Sequence, residues 1–369
     1  MTSVSHATEA SRAGPAGRPD VVLVQTAIGD YRQLFLDQVF AALGDRLLVL
    51  TGPVYFEPSL VTDVRVPYRH DLRNRFLAGR RVLVQTGGLF RRALPARTVV
   101  LELNPRVLSS WALIVARRVL GRRTVGWGHA FPRRGPQSRT DVVRSVMRRL
   151  CGEMMVYTYT QETDLAAREP GLTIHVVPNS TQPTVAPVAG ARNGIIYCGR
   201  LSPEKRPALL IEAFARAAGG GLPGDCELTV VGDGPLRVEL EALAIRLGVA
   251  ERVRFTGRVA DVPSLGRLYA AALISASPGY AGLALTQSLS FGVPMVVADD
   301  EPHAPEIELA DASNTVYFPA RDADALAATL IDQFARRPEW IAATEAISAA
   351  AQALYSSEAM AQAFVAVVE

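Results

Sequence analysis

A chain of 369 residues with 49% apolar and 20% charged residues has the composition of an ordinary two-domain globular protein, which excludes disordered, collagen-like and repeat architectures. The net charge of +3 hides an asymmetry: residues 1–190 carry 25 basic against 14 acidic residues, a balance of +11, and the remainder carries 14 against 22, a balance of −8. The Arg-rich stretch between Arg65 and Arg149 would draw anionic partners such as a phosphorylated acceptor or a charged leaflet, and no nucleic-acid-binding pattern accompanies it.

In chain order, residues 1–19 lack the apolar stretch of a signal peptide and read as a disordered tail. Residues 20–180 alternate short β-branched runs with amphipathic segments, the pattern of a parallel sheet covered by helices. Strands are predicted at Val21–Gln25, Leu47–Thr51, Val82–Thr86, Thr98–Leu103, Thr124–Trp127, Met154–Tyr157 and His175–Val177. The intervening helices are Tyr31–Leu43, Leu108–Val119, Ser138–Leu150 and Gln161–Arg168. The longest apolar run, Val107–Leu120, contains Arg117 and Arg118 and is too short to span a bilayer. His129, between Gly128 and Ala130 at a strand end, is placed for a ligand hydrogen bond or a structural one. Tyr157, Thr158 and Asn179 end the last strands of this domain and would line the same crevice.

Pro and small residues from Pro178 break both periodicities, with 181–193 as the linker. A second Rossmann-like domain follows over 194–350, with strands at Ile195–Cys198, Leu228–Val231, Arg254–Thr256, Leu273–Ser277, Met295–Ala298 and Thr315–Phe318. A terminal helix, 351–369, is free to return to the first domain. The cysteines, Cys151, Cys198 and Cys226, fit neither a disulfide framework nor metal spacing, so a reducing, cytoplasmic location is expected.

Chemistry concentrates after the first strand of the second domain. Gly199-Arg200-Leu201-Ser202-Pro203-Glu204-Lys205-Arg206-Pro207 is a strand-to-helix turn, whose free N–H groups and positive dipole end favour phosphate. Arg200 offers a bidentate fork, and Lys205, the only Lys among 39 basic residues, a point charge. The alternative is a surface turn with solvated cations. Gly232 in VVGDGP and Gly257 in FTGRV end the next strands, the latter allowing a flat ring close to the backbone. Asp322-Ala-Asp324 has the form of a metal-binding DxD, but it opens an Ala-rich helix, where Asp serves as a cap.

Taken in order, GRLSPEKRP, VVGDGP, FTGRV and GLALTQSLSFGVPMVVA resemble the donor domain of glycosyltransferase family 4, the glycosyl transferases group 1 type, with a subfamily pattern similar to capsular and exopolysaccharide enzymes. The resemblance implies an α/β GT-B fold, two Rossmann-like domains facing a central cleft. It also implies a retaining, metal-independent transfer of a hexosyl unit from a nucleotide diphosphate sugar to a lipid-linked or polysaccharide hydroxyl, with no further cofactor. Carried over by position, Arg200 and Lys205 would meet the diphosphate and, with His129, carry the catalysis; Gly257, Arg258 and Val259 would meet the base, and Gly199, Gly232, Gly282 and Leu283 the donor more broadly. The two glutamates of the family's Glu-x7-Glu motif fall on Gly279 and Gln287, and Gln287 keeps one carbonyl acceptor for the ribose. His303 and Glu306 stand where the family has a loop near the sugar, although Glu306 could equally open a helix; His129 would also approach the sugar. Gly29, Tyr31 and Arg32 stand where the family's loop faces the acceptor. The basic first domain suits a peripheral enzyme at an anionic inner membrane face. The alternatives are a natural-product glycosyltransferase or a non-catalytic nucleotide-sugar binder.

Overall fold

The computed structural model describes residues 19–58, 60–133 and 135–369, so all but the last residue of the expected tail lies outside it. The first unit forms β1 (Val21–Gln25), α1 (Gln33–Leu43), β2 (Leu47–Thr51), β3 (Arg69–Asp71), β4 (Arg73–Leu77), β5 (Val82–Thr86) and α2 (Leu89–Ala93). It continues through β6 (Thr98–Glu102), α3 (Leu108–Val119), β7 (Arg123–Trp127), α4 (Arg139–Cys151), β8 (Gly152–Val156), α5 (Tyr159–Arg168) and β9 (Thr173–Val176). Seven strands pair in parallel in the order β3-β2-β1-β6-β7-β8-β9. Helices cover both faces, which is why strands such as VVLVQ of β1 read as unbroken apolar runs. Val22, Val24, Val99 and Leu101 pack beneath α2, α3 and α4, while Val21, Leu23, Val100 and Val125 pack beneath α1.

One predicted strand is differently employed. Val82–Thr86 does not join the parallel sheet; β5 pairs antiparallel with β4 as a separate ribbon. Its partner, Arg73-Asn74-Arg75-Phe76-Leu77, alternates exposed and half-buried residues, so its apolar content is too low for the segment to register as a strand. Polar side chains anchor the ribbon: Gln85 Nε2 donates to Gln25 O at 3.1 Å and Asn74 Nδ2 to Thr26 O at 3.0 Å.

The second unit, Asn179–Ala359, contains β10 (Gly194–Cys198), α6 (Pro207–Ala218), β11 (Leu228–Val231), α7 (Arg237–Arg246), β12 (Val253–Gly257), α8 (Val262–Ala271) and β13 (Ala272–Ser277). After these come α9 (Leu283–Ser290), β14 (Met295–Ala298), β15 (Thr315–Phe318), α10 (Ala323–Ala335) and α11 (Arg337–Leu354), with α12 (Ser357–Val368) closing the chain. The sheet is parallel in the order β12-β11-β10-β13-β14-β15. In each sheet the order reverses once, between β1 and β6 and between β10 and β13, and ligands of such sheets bind beyond the strand ends at that reversal.

The segment after Pro178 has neither helix nor strand until Gly194, yet it is not a solvated spacer. Asn179, Ser180, Gln182 and Arg192 are buried, with Ser180 Oγ donating to Tyr355 O at 3.0 Å and Gln352 Nε2 to Val185 O at 2.7 Å. Met360–Glu369, which holds most of α12, belongs to the first unit, where the Phe364 ring centroid lies 5.5 Å from those of Phe35 and Trp127.

Candidate active site

Along the carboxyl ends of the second sheet, adjacent loops are tied edge to edge by backbone hydrogen bonds. Gly232 N donates to Gly257 O at 2.8 Å, Gly199 N to Val231 O and Leu201 N to Asp233 O at 2.9 Å, Tyr280 N to Glu204 O at 3.1 Å, and Ala304 N to Ala281 O at 2.8 Å. Gly232 holds φ at +135°, and a Cβ on it would overlap the Gly199 carbonyl, so the second motif packs directly against the first. At the reversal between β10 and β13 the half-buried Lys205 donates from Nζ to Tyr280 O at 2.6 Å and lies 4.4 Å from the centre of the Tyr280 ring. Arg200 is the second residue beyond the end of β10 and is exposed, while its backbone carbonyl accepts from Tyr197 Oη at 2.8 Å, which fixes the turn from below. Arg258 is exposed and Val259 half-buried on the loop after β12.

The two positions without the motif glutamates are accounted for differently. A Cβ on Gly279 would lie 2.5 Å from Glu204 O and 2.9 Å from the Lys205 carbonyl carbon, so the turn carrying Lys205 occupies the space a glutamate would need. Gln287 is half-buried on α9 and donates from Nε2 to Cys198 Sγ at 3.3 Å. Burial pushes the Cys198 thiol and the neighbouring Tyr269 hydroxyl upward, so both stay protonated and neutral beneath the loop. Gly282 and Leu283 begin α9, with Leu285 N donating to Gly282 O at 2.8 Å.

His303 and Glu306, the expected sugar contacts, are both hydrogen-bonded within the second unit. His303 accepts from Ala281 N at Nδ1 (3.0 Å), which leaves Nε2 to donate to Ala298 O (2.8 Å), and no ring nitrogen remains for a hydroxyl. Glu306 is buried in a short 3-10 turn, Pro305–Leu309, where Asn179 Nδ2 donates to its Oε1. Asn179 therefore faces Glu306 and lies in the second unit rather than lining the first. Asp322 Oδ1 accepts from Asp324 N and Ala325 N, both at 2.9 Å, and so caps α10. Among the described residues no group of three His, Cys, Asp or Glu side chains gathers.

In the first unit the strand ends bring Tyr31, Arg32, His129 and Tyr157 together. The Arg32 guanidinium lies 5.3 Å from the Tyr31 ring, 5.5 Å from Trp127 and 5.7 Å from Tyr157, and the His129 ring meets Tyr157 edge-on at 4.9 Å. A Cβ on Gly29 would press on the Tyr31 ring at 2.7 Å. Two arginines one turn apart on α4 hold the His129 loop by its carbonyls: Arg144 Nη1 donates to His129 O at 3.1 Å and Arg148 Nη1 to Ala130 O at 2.6 Å. Thr158 is buried and caps α5, accepting from Gln161 N, so it does not line a crevice. At the reversal in this sheet stands Glu102, which no sequence motif marks. It accepts from Thr26 N at 3.1 Å, Tyr55 Oη at 2.9 Å and Asn104 Nδ2 at 2.9 Å. The available signal was an acid at a strand end within the Arg-rich stretch, where the only other acids are Asp71 and Asp141.

Residues 192–335 match the family model of glycosyl transferases group 1. The second unit carries a glycosyl transferases group 1 domain. Within this transferase domain lie all four motifs whose loops are hydrogen-bonded together above. Over 107 residues the chain is 37% identical to the GDP-mannose-dependent alpha-(1-6)-phosphatidylinositol dimannoside mannosyltransferase of Mycobacterium tuberculosis, covering 28% of this chain and 26% of that protein. It is 30% identical over 107 residues to the alpha-D-kanosaminyltransferase of Streptomyces kanamyceticus, covering 28% and 27%. The matches thus span about a quarter of the length of these curated relatives. The fold as a whole is similar to that of Anabaena Alr3699/HepE, solved in complex with UDP, with a TM-score of 0.68 at 17% identity over 95% of this chain and 99% of that one. The chain has the GT-B fold.

Proposed function

We propose that the protein is a retaining hexosyltransferase that takes its donor, a nucleotide diphosphate sugar, in the second unit and its acceptor, a lipid-linked or polysaccharide hydroxyl, in the first. The observation that carries this reading is Lys205, the single Lys ammonium of the chain, held by the Tyr280 carbonyl at the sheet reversal with the Arg200 guanidinium on the same turn. A diphosphate there meets a point charge and a bidentate fork. As the sugar departs, negative charge grows on the phosphate, and cations already oriented toward it stabilise the transition state more than the ground state. Attack on the face the phosphate leaves lets a phosphate oxygen take the acceptor proton, so Gly279 deprives the reaction of no base. Gly257, Arg258 and Val259 border the base, Gln287 the ribose, and Gly199, Gly232, Gly282 and Leu283 the rest of the donor. Gly29, Tyr31 and Arg32 receive the acceptor, and His129 approaches the transferred sugar. The cationic side chains neutralise the diphosphate, so the transfer runs without a divalent ion.

The mycobacterial relative is named for GDP-mannose and a phosphatidylinositol glycan, and HepE was solved with UDP, which together favour a nucleotide sugar and suit a lipid-linked acceptor at an anionic membrane face. A thermal-shift panel of UDP-, GDP- and dTDP-sugars tests the reading. The cognate donor at 100 times its Kd stabilises the protein by about 2.7 kcal/mol. Lys205→Ala weakens transfer by roughly 10- to 100-fold, the worth of a charge-assisted contact, and activity survives EDTA. Normal turnover by Lys205→Ala overturns the assignment. Gly279 favours a second reading, a non-catalytic nucleotide-sugar binder, which donor binding without hydrolysis or transfer would establish.

A further inference from the structure

The α2, α3 and α4 face of the first unit shows apolar side chains on both sides of its helices. The inner side chains pack on the sheet, as expected of an amphipathic helix. The outer ones should then be polar, yet Leu108, Val115 and Val119 of α3, Phe90 of α2, and Val142 and Val146 of α4 are all exposed, Val119 to 81% and Val142 to 68%. Leu108, Val115 and Val119 lie at i, i+7 and i+11, one stripe along the outside of α3. Phe90 and Leu108 also border a groove of about 460 Å³ between the Gly87–Arg91 turn and the start of α3.

Charge settles what such a face fits. Exposed arginines border the stripe: Arg91 beside Phe90, Arg118 and Arg122 beside Val119, Arg139 and Arg149 on α4. From Gly87 to Cys151 the described residues hold two acids, and both are engaged inside the unit. Glu102 accepts from Thr26 N and Tyr55, and Asp141 pairs with Arg148 at 3.0 Å. Helix α7 of the second unit gives the contrast: it exposes Val238 to 75% and Ile245 to 68%, but its charges balance, Arg237 and Arg246 against Glu239 and Glu241.

We propose that the α2–α4 face of the first unit docks on an anionic lipid bilayer, its valines and Phe90 entering the acyl boundary while the arginines meet lipid phosphates. The inference rests on the peripheral-membrane part of the proposed function and gives that part a surface. Vesicle binding tests it: sedimentation with phosphatidylcholine vesicles, alone or containing phosphatidylglycerol, at low and high salt. The wild-type protein binds the anionic vesicles at least about tenfold more tightly, and high salt weakens this. Val119→Asp with Val142→Asp, and separately Arg118→Glu with Arg122→Glu, each lower binding about tenfold or more, while Val238→Asp on α7 leaves it unchanged. Every substituted position is exposed, and an unchanged thermal midpoint and donor-induced shift verify that each variant is folded. Equal binding to neutral and anionic vesicles overturns the proposal, as does loss of binding on Val238→Asp. A dimer by light scattering that the α3 and α4 substitutions dissociate, with no vesicle binding, assigns the face to a second copy instead. Failure here with the donor shift intact removes the membrane surface and leaves the transfer reading standing; loss of the donor shift in the wild-type protein does the reverse.

Discussion

Gly279 and Lys205 show how a single position acquires its meaning from its neighbour. The carbonyl of Glu204 occupies the space beside Gly279, Tyr280 N donates to that carbonyl, and Lys205 Nζ donates back to Tyr280 O. These contacts knit the turn after β10 to the loop after β13, an arrangement that a glutamate at 279 would force apart. Gly279→Glu, which restores the residue of the family motif, is therefore expected to destabilise the second unit by about 2 kcal/mol or more and to weaken donor binding rather than improve it. Chemical denaturation and a donor titration of the variant check both outcomes. His303 teaches the same lesson: a histidine on a loop looks available in the sequence, but two backbone groups take up its nitrogens.

Among the elements, β7 and α4 do most to place the first unit's candidate residues. Arg123 at the start of β7 grips Glu153 of β8 through Nε and Nη2, both at 2.8 Å, and Nη2 also donates to Val367 O of α12 at 2.7 Å. The Arg123 hydrogen bonds hold the Glu153 carboxyl below the usual carboxylate range. A carboxyl with a depressed folded pKa adds stability above its unfolded pKa of about 4.3 and loses it as pH falls through the folded value. Glu153→Gln is thus expected to cost roughly 1–2 kcal/mol at pH 7, with the gap to wild type closing as the medium is acidified below about pH 4; denaturation across that range measures it. On α4, buried Arg148 joins Asp141, Glu169 and the Ala130 carbonyl, so the loop bearing His129 is fixed by the helix that follows it in the chain. The strand positions themselves were legible, because a strand buried on both faces must be apolar along its whole length. The β4–β5 ribbon was not, because one of its strands is half-exposed and polar.

For the molecule as a whole, the last ten residues complete a core begun more than 300 residues earlier. Phe35, Trp127 and Phe364 form a closed aromatic set with every centroid pair 5.5 Å apart, and Arg97 donates to the carbonyls of Val368 and Glu369. Phe364→Ala is expected to destabilise the first unit by about 3–5 kcal/mol, read as a lower denaturant midpoint in the near-ultraviolet aromatic signal. The two sheets, their shared reversal of strand order and the loops at their carboxyl ends follow one plan, although no residue pattern repeats between the units.

What the sequence determined by itself was local: the strand and helix periods, the glycine turns at the strand ends, the lone Lys205 and the Asp322 cap, each set by burial or hydrogen bonding within a few residues. Only the tertiary structure decided which loops meet. It set Gly279 against the Lys205 turn, used up His303, turned Asn179 to Glu306 and brought Glu102 to the reversal of the first sheet. Those outcomes depend on contacts between segments that are mostly tens to more than a hundred residues apart, and such contacts leave no period in the chain for a reader to find.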